Sequence, residues 1–272
     1  MQTRTDPVVE TLAEEWGAIG AIGSALDAEE WELPSECPGW TVRDVISHLV
    51  GTERSLLGEQ PPKLAVDTPS HVRNPVGVFN ESWIQARRVV AGLEVLAEFV
   101  EVTERRLAQM RTWPVSRFEE VGPSPVGEVP YRQFMELRVM DCWVHEQDIR
   151  LATERPGHRQ GPAAELAIDR IASAMGFVVG KQAQAPEGVF VRFDVVGDVP
   201  RRLDIEVRQG RAVAVEDLEA EPTAVLRMDQ ESFWRLACGR VPGDAALFAG
   251  LVELEGDISL ARQVLSSMAF MI

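Results

Sequence analysis

Four side chains that could bind a metal or pair with one another, Arg138, Asp141, His145 and Asp148, recur at three- and four-residue steps within YRQFMELRVMDCWVHEQDIRLA, Tyr131 to Ala152. At about 100° per residue they fall within an arc of about 80° on one helix face. Leu137, Val144, Met140 and Leu151 border that arc on one side and Ile149, Cys142 and Met135 on the other, while Arg132, Glu136, Glu146 and Arg150 point roughly opposite. Charges set inside an apolar arc are costly unless paired, hydrogen-bonded or placed on a metal. Asp141 and His145 lie one turn apart, so an oxygen and a nitrogen can converge on one ion. His48 is the best third ligand. On its own helix it lies beside Thr41, Asp44, Thr52 and Ser55, a small polar strip rather than the apolar face. A His/Asp/His set would hold zinc or a similar divalent ion with a position left open, as catalytic sites do. The same spacing leaves open a second reading, an internal salt-bridge network of Arg138, Asp141, His145 and Asp148.

The remaining reactive residues carry less. Cys142, three residues before His145, reads as an inert core thiol, and Cys37 reads as packing. His71 and His158 fall in loops and read as solvated. His145-Glu146-Gln147-Asp148 is not HExxH, since the second histidine is missing and Glu146 points away, so a zincin protease is not supported. Glycine-rich phosphate loops, a GxSxG elbow and a dinucleotide fingerprint are absent from the sequence.

The elements that must position these residues are helical first. Val8, Leu12, Trp16, Ile19 and Ile22 give one helix over Pro7 to Leu26, and a second runs from Thr41 to Leu57, entered from Pro38-Gly39 with Thr41 and Asp44 as a capping pair. The stretch through Pro61, Pro62 and Pro75 reads as loop. Asn80 to Met110 reads as two helices broken near Gly92, followed by a Pro/Gly-rich connection and the Tyr131 to Ala152 helix. Arg155-Pro156-Gly157 marks a boundary, and helix continues over Pro162 to Val179. The period then changes to alternation, with strands expected around Val189 to Val195, Leu203 to Val207, Ala212 to Val215, Thr223 to Arg227 and Leu251 to Leu254. Helices are expected at Asp229 to Ala237 and at Ile258 to Met268, the latter capped by Asp257. The fold class is α+β: a helical bundle over residues 1–155 and a smaller α+β domain over 161–272.

Composition bounds what the chain can do. Apolar residues at 45% and charged residues at 26% are ordinary for globular proteins, and 272 residues favour two domains. The net charge of −16 repels phosphate backbones and anionic membrane surfaces, so neither nucleic acid nor membrane is an expected partner. Three scattered cysteines without a CxxC fit a reducing cytosol, and MQTRTDPVVETLAEEW lacks the apolar run of a signal peptide, so the expected location is cytoplasmic.

Cys37-Pro38-Gly39-Trp40-Thr41-Val42-Arg43-Asp44-Val45-Ile46-Ser47-His48-Leu49, with Asp141-Cys142-Trp143-Val144-His145-Glu146-Gln147-Asp148 downstream, resembles the mycothiol-dependent maleylpyruvate isomerase family. The resemblance implies a DinB-like metal-binding four-helix bundle followed by a sterol-carrier-like domain, and covers nearly the whole chain. It implies metal ligands at His48, Asp141 and His145, a divalent metal such as zinc, and mycothiol as thiol cosubstrate. The family's acid is often glutamate, so Asp141 is one methylene shorter. It further implies that Arg240, in Ala237-Cys238-Gly239-Arg240, is the carboxy-terminal arginine that meets an anionic substrate in a cleft. The expected function is a mycothiol-using transferase or isomerase in which a metal-bound thiolate attacks a small electrophile, in a monomer or weak dimer with about one metal per chain. The alternatives are a non-catalytic carrier of an apolar ligand with a structural or vestigial metal, and a zinc-sensing interaction module.

Overall fold

The computed structural model describes residues 5–63, 69, 72, 74–216 and 220–271. Met1–His158 and Arg159–Ile272 form two compact units.

In the first unit, α1 spans Pro7–Ser24, with Pro7 at its first position and the Asp6 carboxylate accepting from Val8 N at 3.1 Å. α2 spans Val42–Leu56 behind the expected capping box, Asp44 N donating to Thr41 Oγ1 and Thr41 N to Asp44 Oδ2, each at 3.3 Å. α3, Pro75–Gln85, begins where a loop was expected. Proline lacks the amide that a helix start leaves unbonded, and Asn74 caps the turn by accepting from Gly77 N at 2.8 Å, so Pro75 opens the helix rather than excluding it. α4 is Gly92–Arg111. Gly92 starts this helix because a Cβ there would run into the buried Trp31 ring, in the one-turn 3-10 helix Glu30–Glu32.

A hairpin missed in the sequence, β1 Val121–Ser124 and β2 Gly127–Pro130, leads into α5, Tyr131–Ala152. Its short strands are largely exposed, so no alternation of apolar residues announced them. α1 packs on α4 and α5, and α2 packs on the same two helices, closing a four-helix bundle with α3 laid against α2. α2 is buried nearly all round, including Asp44, Ser47, His48 and Glu53, because it also meets α3 and the Glu30–Glu32 turn.

The second unit begins with α6, Pro162–Ser173, which breaks into α7, Met175–Phe177, and a π-helical turn at Val178–Gln182, where one continuous helix was expected. Five strands follow: β3 Phe190–Val196, β4 Arg201–Arg208, β5 Arg211–Val215, β6 Ala224–Asp229 and, after two helices, β7 Val252–Gly256. They form one sheet in the order β5-β4-β3-β6-β7, with β3 and β6 parallel and the other neighbours antiparallel. Val191, Phe193 and Val195 are buried on one face, as alternation requires. α8 is Gln230–Ala237, capped by Asp229; α9, Gly243–Phe248, was not foreseen; α10 is Ile258–Ser266, capped by Asp257. No helix among the described residues is long and apolar enough to cross a membrane.

Candidate metal centre

The side chains of His48 on α2 and of Asp141 and His145 on α5 meet inside the bundle. His48 Nε2 lies 3.4 Å from Asp141 Oδ2 and His145 Nε2 lies 3.6 Å from Asp141 Oδ1. One ligand atom from each of the three lies within 4.8 Å of the others. The imidazoles meet edge to face at 4.9 Å between centroids. Trp40, at the entrance to α2, has its ring 5.3 Å from His48 and 6.1 Å from His145, held by Nε1 donating to Glu81 Oε1 at 2.8 Å. His48 itself is 7% exposed, so the polar strip that seemed to face away from the core faces α5 instead.

The protonation states suit a cation. Burial pushes His48 below its ordinary value, against the pull of Asp141, which favours the neutral imidazole that metals require. Burial would raise the Asp141 carboxyl, but the Arg138 guanidinium, then His48 and His145, override it and hold it well below the usual carboxylate range. Asp141 remains half-buried, whereas the Nδ1 of His48 is buried without a hydrogen-bond partner.

The surroundings fix these side chains. His145 Nδ1 lies 3.0 Å from Asp148 Oδ2; with the proton on Nδ1 toward that carboxylate, the lone pair on Nε2 faces Asp141 and His48. The Cys37 thiol donates to the same Asp148 oxygen at 3.2 Å and lies 3.8 Å from His145 Nδ1, so Cys37 belongs to the surroundings of the site and is more than packing. Arg138 pairs with Asp141 through Nη1 and with Glu53 on α2 at 2.9 Å. Glu53 also receives Arg106 Nε from α4 at 3.0 Å, and Arg106 donates to the Tyr131 hydroxyl at 2.7 Å. The internal ion network weighed in the sequence is therefore present beneath the ligand set and extends to α2 and α4; the two readings coexist.

Other expectations fare differently. Cys142 is fully buried and accepts from Trp16 Nε1 at 3.3 Å, and burial pushes its thiol up, as an inert core cysteine requires. His158 is not solvated: its Nδ1 lies 2.6 Å from Glu146 Oε2 and its side chain is 15% exposed. Burial, then the Glu146 charge, push the neighbouring Glu15 well above the ordinary carboxylate range. Glu146 does point away from the ligand set, but into α1, where it is fully buried. Glu15 escaped notice although it stands among Leu12, Trp16, Ile19 and Ile22 on the buried stripe of α1, and an acid at an apolar helical step was the signal. His71 lies outside the described residues. In the second unit, Arg240 follows α8 at a left-handed Gly239, φ 67°, with Arg240 N bonded to Arg235 O at 2.8 Å and its guanidinium donating to Cys238 O at 3.0 Å. Its side chain is half-buried.

Two solved structures share this fold. A mycothiol-dependent maleylpyruvate isomerase is 15% identical, with a TM-score of 0.57 over 86% of this chain and 88% of that one. A mutant of the mycothiol-dependent maleylpyruvate isomerase is 14% identical, with a TM-score of 0.57 over 91% of each chain. An uncharacterized protein of Mycobacterium tuberculosis (strain ATCC 25618 / H37Rv) is 27% identical over 169 residues, which is 62% of this chain and 78% of that protein. The family model of the mycothiol maleylpyruvate isomerase N-terminal domain matches residues 12–150, and that of the MDMPI C-terminal domain matches residues 165–263. With both matches in sequence and most of the chain covered, this protein belongs to the mycothiol maleylpyruvate isomerase family.

Proposed function

We propose that the chain is a metal-dependent, mycothiol-using transferase or isomerase acting on a small electrophile, with His48, Asp141 and His145 as the metal ligands. The observation that carries this reading is the convergence of those three donors from two helices to within 4.8 Å of one another. An ionised carboxylate and two imidazoles suit zinc or a similar divalent ion. When bound, such an ion supplies the positive charge that keeps a thiol in its thiolate form at neutral pH.

The chain's own residues do the rest. Asp148 holds His145 in one tautomer, and Arg138 with Glu53 holds Asp141 ionised and in place. Trp40 covers the two imidazoles and limits water there. Glu146 lies on another face of α5, so no carboxylate stands in an HExxH register to draw a proton from water, which favours a thiol as nucleophile. A C–S bond made to an activated alkene breaks again after rotation, giving isomerisation, whereas one made to an epoxide or halide persists as the leaving oxygen or halide departs with its electron pair. Arg240 is the cation assigned to an anionic substrate against the net charge of −16.

The experiment is consumption of activated alkenes, epoxides and halides by the metal-loaded full chain with mycothiol present, absent or replaced by a simple thiol. Turnover is expected only with a thiol, and fastest with mycothiol. Equal turnover without any thiol would make the protein a hydrolase on this fold and end the proposal.

A further inference from the structure

On another face of α5, about 100° round the helix from His145, a second group of donors is assembled from α1, α5 and the segment that follows it. Glu15, Glu146 and His158 each present one ligand atom within 4.8 Å of the others. His158 Nδ1 lies 2.6 Å from Glu146 Oε2 and 3.6 Å from Glu15 Oε2. Two donors each about 2 Å from one ion stand roughly 3–4 Å apart, so small shifts bring the three onto a common centre. Glu15 is 0% exposed and both its carboxylate oxygens lack a hydrogen-bond partner. Burying a carboxylate in this way beside a second buried carboxylate is costly unless something positive joins them.

The charge balance here depends on the protons the cluster holds: without an ion, burial and the Glu146 charge push the Glu15 carboxyl up and Glu146 pushes the His158 imidazole up, so both favour their protonated forms. With those protons displaced by an ion, the buried Glu15 and Glu146 and the exposed Glu14 beside them bring three negative charges, and Arg150, bound to Glu146 Oε1 at 2.6 Å, brings one positive charge. With His158 neutral, two negative charges remain, the amount one divalent ion neutralises. The ion needs the Nδ1 lone pair of His158, so the ring proton sits on Nε2, whose neighbouring carboxylate oxygen is Glu14 Oε1 at 3.7 Å, too far for a hydrogen bond.

We propose that Glu15, Glu146 and His158 form a second divalent-cation site, a structural clamp joining α1, α5 and the segment after α5. Two carboxylate oxygens and one imidazole nitrogen suit Zn2+ or Mn2+. The site does not depend on the His48 set, and the two are separable by experiment.

The test is the metal content of the full chain, stripped with chelator and reloaded with Zn2+ and, separately, with Mn2+, read by elemental analysis with circular dichroism as the folding control. The wild type is expected to hold about two equivalents, and Glu15→Gln or His158→Ala about one, since each removes a ligand. Glu15→Leu, which replaces the buried acid by an apolar side chain of similar size, keeps the test open if the glutamine variant does not fold. Loading the His48→Ala variant should still raise its melting temperature, and adding Glu15→Leu should abolish that rise. If Glu15→Leu and His158→Ala bind as much of both metals as the wild type, the cluster holds a shared proton instead and the inference is wrong. Loss of metal on Glu15→Leu but not on His48→Ala would support this site while removing the ligand assignment made for the first.

Discussion

At the scale of residues, the ligand set proposed for His48, Asp141 and His145 depends on side chains outside it. Asp148 fixes the tautomer of His145 and receives the Cys37 thiol. Asp148→Asn should leave the helical circular dichroism unchanged and weaken metal binding by about 10–100-fold in a chelator competition, the usual consequence of losing an orienting carboxylate. Glu53 is the shared counter-charge of Arg106 and Arg138, all three buried. Glu53→Gln leaves two guanidinium groups short of a partner and should cost about 3–5 kcal/mol in denaturant unfolding, because a buried pair broken from one side strands the other charge. Cys142, whose thiol burial pushes up, should resist thiol reagents in the native protein, and Cys142→Ala should leave metal content unchanged.

At the scale of elements, the position of His48 rests on how α2 starts. The reciprocal Thr41 and Asp44 bonds fix the first turn two turns ahead of His48. Thr41→Ala should cost about 1 kcal/mol, read as a shift of the denaturation midpoint without loss of the slope. The entry to α4 is fixed by shape. Gly92→Ala would drive a Cβ into Trp31 and should destabilise by about 1–3 kcal/mol, visible as a lower melting temperature. Caps, helix faces and strand alternation were legible in the sequence because they are local rules. The hairpin β1-β2 and the short α9 were not, since neither carries a periodic apolar face long enough to register.

At the scale of the whole molecule, the chain divides at His158 and Arg159, and each half carries its own core. We propose 1–155 and 161–272 as the working domains. Limited proteolysis should cut between Arg155 and Gly161 before it cuts within α5, where every bond lies in a continuous helix. A first cut inside α5 would contradict the division. Arg240 belongs to the second unit, so its assignment is tested by kinetics rather than by metal content. Arg240→Ala should raise KM for an anionic electrophile while the metal analysis stays at the wild-type value, and Arg240→Lys should restore part of the loss.

The sequence by itself determined the order of the elements, the charged stripe on α5, and His48, Asp141 and His145 as candidates, because spacing on a helix fixes which side chains share a face. Its resemblance in the Cys37 to Leu49 and Asp141 to Asp148 segments pointed to the family that the two domain matches bear out. Only the tertiary structure decided what each face meets. Packing of α2 against α5 turned His48 from a polar strip into a buried partner of Asp141, and brought Glu53 beneath it to join Arg138 to Arg106. Packing of α1 against α5 set Glu15 beside Glu146 and His158, residues 131 and more positions apart in the chain with no local pattern between them. The physical reason is that helical periodicity specifies direction around one axis, whereas the neighbour found in that direction depends on how the helices cross.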